Sequence, residues 1–425
     1  MTRWLTWLIA VTVVLALVLR DPMLALVALL LALLGGLAAL WDRYTFGGMV
    51  YERKLGANRL FVGEETDLTI QITNAKPLPL AWLKVEDELP VEVTLARGRT
   101  HRSYKPNRRL LTNTLSLRFY ERVRKQYSLK AAKRGAFTLG PVALQSGDLF
   151  GLRRHERVLE QLDELVVYPL VVSMAAFDLA SSHPFGEQSA LRRLVDDPLR
   201  IAGTRPYAPG DNPRHLHWKA PAHRGSLQTK TFDPSAALRT AIFLDIQTVR
   251  GTPAIIDSYL EYGIIAAASV ARHLLDCGEA VGLYVNAPRR HSTQRIRLAP
   301  SRHPEQWQAI LEALARVLDL PSLPFERFLR GEQVGLPYGA PILAISATPG
   351  PGMYAALLDL QRAGHPTALV AVGDKPPADV PGPLRCAWIG GEAAYARLTA
   401  SRLPEGGGQH SEHSEEVPIS LEFGA

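Results

Sequence analysis

Histidines and a carboxylate that could bind a metal ion or transfer protons are concentrated in residues 203–233. His215 and His217 are two residues apart, Asp211 precedes them, and His223 follows them. Imidazole nitrogens and carboxylate oxygens are ligands for Zn²⁺, and the same groups act as general acids and bases. These four side chains are therefore the first candidates for a metal site or for acid–base chemistry.

The cations in the same segment favour a different role. Three basic residues surround Asp211 in the sequence, and they disfavour a bound metal ion, whereas a carboxylate readily accepts a bidentate guanidinium. The prolines at both ends of residues 209–213 make that turn rigid. We therefore expect an interdomain lock or a partner-docking segment with no catalytic residue. Its candidate residues are Arg205, Tyr207, Pro209, Gly210, Asp211, Arg214, His217, Trp218 and Lys219.

The rest of the sequence lacks the common motifs for chemistry on nucleotides or acyl groups. It has no Gly-x-x-x-x-Gly-Lys-Ser/Thr loop and no Gly-x-Ser-x-Gly elbow. The two cysteines, Cys277 and Cys386, are too few for a disulfide framework or a four-cysteine zinc site. We expect a protein that is not an enzyme and has no cofactor, so that any energy source belongs to a partner.

Two apolar stretches at the amino terminus predict a transmembrane helical hairpin in residues 1–45. Residues 4–19 and 23–41 contain no charged side chain, and as helices they would be about 24 and about 28 Å long against a hydrocarbon core of roughly 30 Å. The intervening Arg-Asp-Pro fits a turn at the far interface. Indole rings prefer the two interfaces, and the candidate membrane residues are Trp4, Trp7, Arg20, Asp21 and Trp41.

Basic residues predict the orientation of this hairpin. Arg3 precedes it, and Arg43, Arg53, Lys54 and Arg59 follow it, whereas the far turn has no net charge. The positive-inside rule then places the remainder of the chain in the cytoplasm. A cleaved signal peptide is the alternative, but the first apolar stretch has no small-x-small cleavage site, and a second apolar stretch follows at once.

The middle of the chain, residues 50–168, predicts an immunoglobulin-like β-sandwich. Leu68, Ile70 and Ile72 alternate with polar residues, which is typical of a half-buried strand, and similar alternation recurs in residues 115–119 and 137–139. Residues 97–134 contain thirteen Lys or Arg and one acid, Glu121. These cations could contact acidic lipid or a partner, or could simply be solvated strand faces; we expect no nucleic-acid partner because no nucleic-acid-binding motif accompanies them.

Strands alternate with helices in residues 236–403, which predicts a doubly wound parallel sheet. The expected strands are residues 241–245, 280–285, 340–345 and 367–372, and the expected helices are residues 255–277, 303–318 and 353–363. Ligands of such sheets bind beyond the carboxyl ends of the strands, near Asp245 and Thr348. The fold class is thus a membrane-anchored α+β multidomain protein, with residues 169–235 as a linker and residues 404–425 as a disordered tail.

The run from Arg205 to Lys219 reads Arg-Pro-Tyr-Ala-Pro-Gly-Asp-x-x-Arg-x-Leu-His-Trp-Lys, and it resembles the signature of the bacterial "domain of unknown function 58" family. Residues 147–152, Gly-Asp-Leu-Phe-Gly-Leu, resemble a turn of the same family, and the resemblance extends over nearly the whole chain. One departure is that Ser-Ala-Arg often follows the tryptophan in the family, where this chain has Pro-Ala-His-Arg at 221–224.

The resemblance implies that the last domain is similar to the von Willebrand factor A fold, which usually binds Mg²⁺ through an Asp-x-Ser-x-Ser turn. Here Asp245 remains, Gln247 replaces the first serine and Val249 the second, and Thr248 and Thr348 are displaced substitutes. Mg²⁺ is the one cation this degenerate site would suit. We do not expect the adhesion mechanism of that fold to apply.

The resemblance also implies a partner and a location. Family members are associated with MoxR-type AAA+ ATPases, so the expected function is a non-enzymatic scaffold in the bacterial inner (plasma) membrane, with two passes and cytoplasmic soluble domains. One alternative is an envelope enzyme that acts on a lipid-linked or cell-wall precursor through Asp211, His215, His217 and His223. The other is a purely structural envelope protein.

Overall fold

The computed structural model describes residues 2–96, 98–147, 154–177, 201–206, 228–232, 239–248, 252–288, 294–402 and 419–423. The architecture is mixed α+β with several sheets. Internal contacts divide the chain into two compact units. Unit 1 comprises Met1–Val167 together with Gly408–Ala425, and unit 2 comprises Tyr168–Gly407.

Unit 1 begins with two helices, α1 (Thr2–Leu19) and α2 (Pro22–Tyr44), which pack against each other. Three residues explain the break between them. Arg20 has a left-handed backbone (φ 52°), which ends α1. The carboxylate of Asp21 accepts a hydrogen bond from the Met23 amide at 2.8 Å, and Pro22 takes the first helical position. The two predicted helices are confirmed, while their crossing of a membrane stays a prediction.

Among the described residues, twelve strands follow these helices up to Tyr168. They are β1 (Met49–Leu55), β2 (Arg59–Phe61), β3 (Glu65–Asn74), β4 (Leu80–Pro90), β5 (Val93–Leu95), β6 (Thr100–Arg102), β7 (Arg108–Leu117), β8 (Glu121–Ala131), β9 (Gly135–Leu139), β10 (Val142–Gly147), β11 (Arg154–Leu159) and β12 (Asp163–Tyr168).

These strands form antiparallel sheets around one shared core. One sheet contains β1, β3, β8 and β5, a second has the order β11-β10-β4-β7-β6, and a small third has the order β2-β12-β9. Leu68, Ile70 and Ile72 on β3 are buried in the same cluster as Val85 on β4 and Leu165 on β12. The predicted period of two on β3 is therefore confirmed, because its apolar face lies against the opposite sheet.

Unit 2 contains a two-stranded ribbon, a larger sheet and five helices among its described residues. In chain order the elements are β13 (Ile201–Pro206), β14 (Gln228–Phe232), β15 (Arg239–Leu244), α3 (Pro253–Asp276), β16 (Ala280–Pro288), β17 (Arg295–Ser301), α4 (Gln306–Ala315), α5 (Phe325–Glu332), β18 (Ile342–Ser346), α6 (Pro351–Arg362), β19 (Thr367–Ala371), β20 (Arg385–Trp388) and α7 (Glu392–Arg402). Two 3₁₀ turns, Met174–Phe177 and Gln333–Gly335, complete the list.

The larger sheet of unit 2 has the strand order β17-β16-β15-β18-β19-β20. All its pairings are parallel except that of β16 with β17. Alternate residues of β15 enter two different cores: Ile242 and Leu244 pack with α3, α4 and α7, whereas Ala241 and Phe243 pack with α5 and α6. Because helices cover both faces, the strands are buried on both sides and read as continuous apolar runs. The predicted α/β layering of this region is confirmed.

Helix α3 is, among the described residues, the one helix whose length and composition would allow it to cross a membrane. By length and composition alone, α3 is the described helix that suggests a membrane anchor. Of its most apolar window 72% is buried, and it packs against β15, β16 and β18. The described apolar stretches within α1 and α2, Trp7–Leu19 and Pro22–Leu33, are shorter.

Two segments differ from the sequence-based expectations. Val172 and Phe177, in the expected linker 169–235, are buried in the core of unit 2 with α3. Within the expected tail 404–425, Ile419–Phe423 forms strand β21, which pairs antiparallel with β8 in the first sheet of unit 1. The prediction for the tail rested on residues 404–416, which are rich in Gly, Ser and Glu. Residues 419–423 pair nevertheless, because a short alternating segment needs only a free strand edge.

Candidate functional site

The signature segment begins and ends on paired strands. β13 and β14 are antiparallel, with Arg205 opposite Thr229 and Pro206 opposite Gln228, and Thr229 is buried. Residues 207–227, which connect the two strands in sequence, lie outside the described residues. The ribbon thus brings together the two ends of the segment that the sequence predicts to bind a partner.

Most of the predicted signature residues are therefore not described. Arg205 lies on β13. The others lie outside the described residues, namely Tyr207, Pro209, Gly210, Asp211, Arg214, His217, Trp218 and Lys219. The alternative catalytic or metal-binding set, Asp211 with His215, His217 and His223, also lies there. Their grouping and their roles stay predictions.

The carboxyl edge of the large sheet holds a polar site among the described residues. In the strand order 3-2-1-4-5-6, counted from β15 as the first strand, the crossovers diverge between β15 and β18. Ligands of doubly wound sheets bind at this switch point. Asp245 follows β15, Ser346 ends β18, and Asn286 lies near the end of the neighbouring β16. All three are buried.

Hydrogen bonds join these three side chains into one network. The Oδ1 atom of Asp245 accepts from the Gln247 amide at 3.0 Å and from Nδ2 of Asn286 at 2.8 Å. Its Oδ2 atom accepts from the Ser346 hydroxyl at 2.9 Å. The Asn286 side chain in turn accepts from the Ile246 amide at 2.9 Å. One carboxylate therefore fixes the ends of three adjacent strands.

Burial dominates the electrostatics of this network. It raises the pKa of Asp245 to about 6, although the hydrogen bonds from Gln247, Ser346 and Asn286 favour the charged form. The negative charge of nearby Glu326 acts in the same direction as burial. Near neutral pH the carboxylate is thus ionised, and its charge is held by neutral donors.

The described residues do not fit a Mg²⁺ site. Mg²⁺ demands several accessible oxygen ligands in near-octahedral geometry, but Asp245 is buried and its oxygens accept three hydrogen bonds from the protein. Gln247 is exposed and takes part through its backbone, and the Thr348 hydroxyl donates to the Gln247 carbonyl at 3.3 Å. Thr248 is half-buried. No group of three or more His, Cys, Asp or Glu gathers among the described residues.

Asn286 and Ser346 were not predicted from the sequence as site residues. A signal for them exists, because each is a polar residue at the carboxyl end of an apolar strand, as Asp245 is. Their separations from Asp245 along the chain, 41 and 101 residues, hide the connection. Only the strand order makes them neighbours.

The basic stretch 97–134 does not form one uniform cationic face. The Lys105 ammonium pairs with Glu88 at 2.7 Å, Arg108 donates to the Thr138 carbonyl, and Lys125 donates to the Asn113 side chain at 2.9 Å. Arg118 and Arg124 are exposed. The stretch thus combines cations with partners inside the sandwich and cations that face solvent.

The candidate membrane residues divide in the same way between described and undescribed side chains. Trp7 is exposed, and so are Arg20 and Asp21 at the turn between α1 and α2. The side chains of Trp4 and Trp41 lie outside the described set. Large apolar side chains of α1 and α2 are also exposed, and those with the highest exposure are Leu17, Val18, Met23 and Leu33.

A buried lysine ties the end of α2 to the sandwich. Lys76, which is 8% exposed, donates from Nζ to the Tyr44 carbonyl at 2.6 Å and to the Thr45 carbonyl. Unpaired carbonyls at a helix carboxyl terminus carry partial negative charge and favour a cation. Burial lowers the pKa of Lys76 to about 8, so it is an ammonium at neutral pH. The helical pair is thereby connected to the segment that follows β3 through a charged contact.

Comparisons with known proteins point to a family of unknown function. Residues 203–320 match the family model described as protein of unknown function DUF58. The uncharacterized protein YeaD of Bacillus subtilis is 26% identical over 214 residues. That match covers 50% of this chain and 51% of YeaD, so the matched segment spans about half the length of that relative.

Similarity to solved structures is low. The CARDB domain of the PF1109 protein from Pyrococcus furiosus has a TM-score of 0.19 at 12% identity, with coverage of 28% of this chain and 86% of that one. A cohesin module from Clostridium perfringens has a TM-score of 0.20 at 14% identity, with coverage of 28% and 97%. At such TM-scores these similarities support no conclusion about this chain.

Proposed function

The chain belongs to the DUF58 family, whose function is unknown, and we propose that it is a non-enzymatic scaffold at the inner membrane that binds a MoxR-type AAA+ ATPase or its client through unit 2. The helical pair α1–α2 is the anchor in this proposal, with two passes, and the rest of unit 1 and the whole of unit 2 lie on the cytoplasmic side. Three groups of observations support this proposal.

The first group concerns the anchor. The described side chains of α1 and α2 are apolar and largely exposed, with charges at the turn formed by Arg20 and Asp21. In water such a surface would be costly, at roughly 25 cal/mol for each Å² of apolar area, whereas lipid chains cover it at no such cost. The exposed surface therefore favours a bilayer around the helical pair.

The second group concerns the type of domain. The strand order of the large sheet, with its third strand antiparallel and helices on both faces, is compatible with a von Willebrand factor A-like domain. In this proposal the edge beside Asp245 is where the partner docks. The exposed Gln247 and Thr348, which flank the switch point, would lie in the interface.

The third group, the hydrogen bonds around Asp245, supports a non-enzymatic role. At the switch point the Asn286 and Ser346 side chains both donate to Asp245, and this buried carboxylate also accepts a hydrogen bond from the Gln247 amide. A general base or a nucleophile needs a free lone pair within reach of a substrate. The network instead makes the edge rigid, and a rigid edge binds a protein partner at a lower entropic cost.

Affinity purification of the tagged full-length protein from native membranes, with and without ATP, tests this proposal. A stoichiometric AAA+ ATPase is expected in the wild-type eluate. Gln247→Arg should reduce its recovery by about tenfold or more, which corresponds to about 1.4 kcal/mol, because an unpaired guanidinium would be buried in the interface. Mass spectrometry of matched eluates measures the change.

Gln361→Arg is the matched control. Gln361 is exposed near the end of α6, at the amino edge of the same sheet, so the same substitution is made away from the proposed interface. Equal loss of the ATPase in both variants would point to a folding defect, and a wild-type eluate with no ATPase under either condition would contradict the proposal.

A further inference from the structure

The turn between β7 and β8 exposes two neighbouring aromatic rings. Phe119 is 62% exposed and Tyr120 is 53% exposed, and Arg118 beside them is exposed as well. Exposed aromatic rings next to an arginine are the composition found where proteins meet the headgroup region of a bilayer.

The turn is attached to the end of α2. The Tyr120 amide donates to the Lys76 carbonyl at 3.3 Å, and the same lysine holds the Tyr44 carbonyl through its ammonium. Asn74, which is buried, donates from Nδ2 to the Arg118 carbonyl at 2.7 Å. A single lysine therefore separates the turn from the last residue of α2, so any bilayer around α2 would lie close to this turn.

The fold itself does not require these rings. Tyr120 has a left-handed backbone (φ 54°), where glycine or asparagine would cost less free energy than an aromatic residue. The Phe119 and Tyr120 side chains also contribute little to the core, since each is more than half exposed. Neither turn geometry nor packing explains two aromatic rings at these positions.

We propose that the β7–β8 turn is a second membrane contact, in which Phe119 and Tyr120 enter the interfacial region and Arg118 contacts the phosphates of anionic phospholipids. This inference rests on the anchoring of α1–α2 proposed above. The contact would hold the sandwich against the membrane surface at the end where the chain leaves the bilayer.

A fluorescent label tests this contact in the full-length chain. In a Cys277→Ser, Cys386→Ala background, Phe119→Cys receives a polarity-sensitive fluorophore, and the protein is reconstituted in phosphatidylcholine–phosphatidylglycerol vesicles that contain spin-labelled lipid. The label should be quenched several-fold more than the same label on Tyr104→Cys. Tyr104 is 86% exposed beside Lys105, but it lies beyond the opposite end of β7, which is about 30 Å away for a strand of this length.

The arginine has its own matched control. Arg118→Gln should shift the equilibrium between the inserted and the withdrawn turn by about fivefold, the factor expected for one arginine at an anionic surface. Arg102→Gln, an exposed arginine near the far end of β7, should leave it unchanged. Equal quenching in vesicles of phosphatidylcholine alone would overturn the assignment to anionic phospholipid.

A label on the anchor separates this inference from the one on which it rests. Leu17 is exposed on α1, and Leu17→Cys should be quenched strongly. Quenching at position 17 without quenching at position 119 would overturn the second contact and leave the anchor in place. An absence of quenching at both positions would overturn the anchor itself.

Discussion

Asp245 illustrates how a single residue can have a different role from the one its position in the sequence favours. An aspartate after the first strand of a parallel sheet predicts a ligand for a cation, and the family resemblance strengthens that reading. In the structure its carboxylate is buried and bonded to Gln247, Asn286 and Ser346. The carboxylate therefore connects neighbouring strands, and its burial makes the ionised form costly in free energy.

A pH-dependent stability should follow from this residue. Because the folded-state pKa of about 6 lies above the ordinary value of 3.8, the folded protein binds the proton more tightly than the unfolded chain does. The stabilisation by protonated Asp245 is complete below about pH 4 and is lost as the pH rises through about 6. Relative to Asp245→Asn, the wild type should lose roughly 3 kcal/mol over this interval.

Denaturant titration of the detergent-solubilised full-length protein between these pH values measures the difference. Asparagine can keep the bonds at Oδ1, so the variant should fold and bind no proton at this position. Asp319→Asn, at an exposed carboxylate outside this network, is the matched control for the substitution itself. Parallel profiles for the wild type and Asp245→Asn would refute the assigned role.

At the scale of the element, strand β1 shows how alternation can bury a charge. From the sequence, Arg53 is expected to be one of the cations that orient the transmembrane hairpin. In the structure its side chain is fully buried. It pairs with Asp87 at 2.5 Å and with Asp163 at 2.7 Å, and it donates to the Leu139 and Gln161 carbonyls. Tyr51, two residues earlier on the same face, donates to Asp87 at 2.8 Å. Arg53 thus joins β1 to three other strands, β4, β9 and β12.

Removal of this arginine should destabilise unit 1 strongly. Arg53→Met leaves Asp87 buried without its cation, and the loss of one member of a buried ion pair costs about 3–5 kcal/mol. Lys54→Met, on the exposed face of the same strand, should cost less than about 0.5 kcal/mol because its pairing with Glu52 is exposed to water. Thermal unfolding of both variants measures the contrast, and a similar small loss in each would show that the buried network contributes little.

The elements that the sequence predicted well are those with a strong local pattern. The expected helix 255–277 is Pro253–Asp276, and the expected strand 340–345 is Ile342–Ser346. Strand β17 and helix α5 were not predicted. Strand β17 contains two arginines and a proline and lies at the sheet edge, and α5 has only eight residues. Short or edge elements have a weak pattern, because only a few of their side chains enter the core.

At the scale of the whole molecule, the proposed scaffold requires unit 2 to be on the cytoplasmic side. Cys277 is exposed at the end of α3, whereas Cys386 is half-buried and burial raises its pKa. A membrane-impermeant thiol reagent should therefore modify Cys277 in inverted membrane vesicles and spare it in intact spheroplasts. The thiolate is the reacting form, so Cys386 should react slowly in both.

A cysteine at the turn of the helical pair provides the converse measurement. Arg20 is exposed, and Arg20→Cys in a Cys277→Ser background should react in spheroplasts and be protected in inverted vesicles. Modification of Cys277 from outside would reverse the orientation, and modification of both positions from one side would contradict two passes.

The sequence by itself determined the features that depend on neighbours along the chain. The break between α1 and α2 follows from three consecutive residues, strand β3 follows from a period of two, and helices α3, α4 and α6 follow from local apolar patterning. Backbone sterics, capping and amphipathic patterning act over a few residues, so they can be inferred without knowledge of the rest of the fold.

Only the tertiary structure decided which distant residues meet. Strand order brings Asp245, Asn286 and Ser346 together across 101 residues, and sheet pairing brings Lys76 to the end of α2 across 32. Such contacts form because burial of apolar faces fixes the order and register of strands, and polar side chains at the strand ends are then matched by position. Local patterning specifies which face of each element is apolar, and the packing of these faces into a core specifies which elements become neighbours.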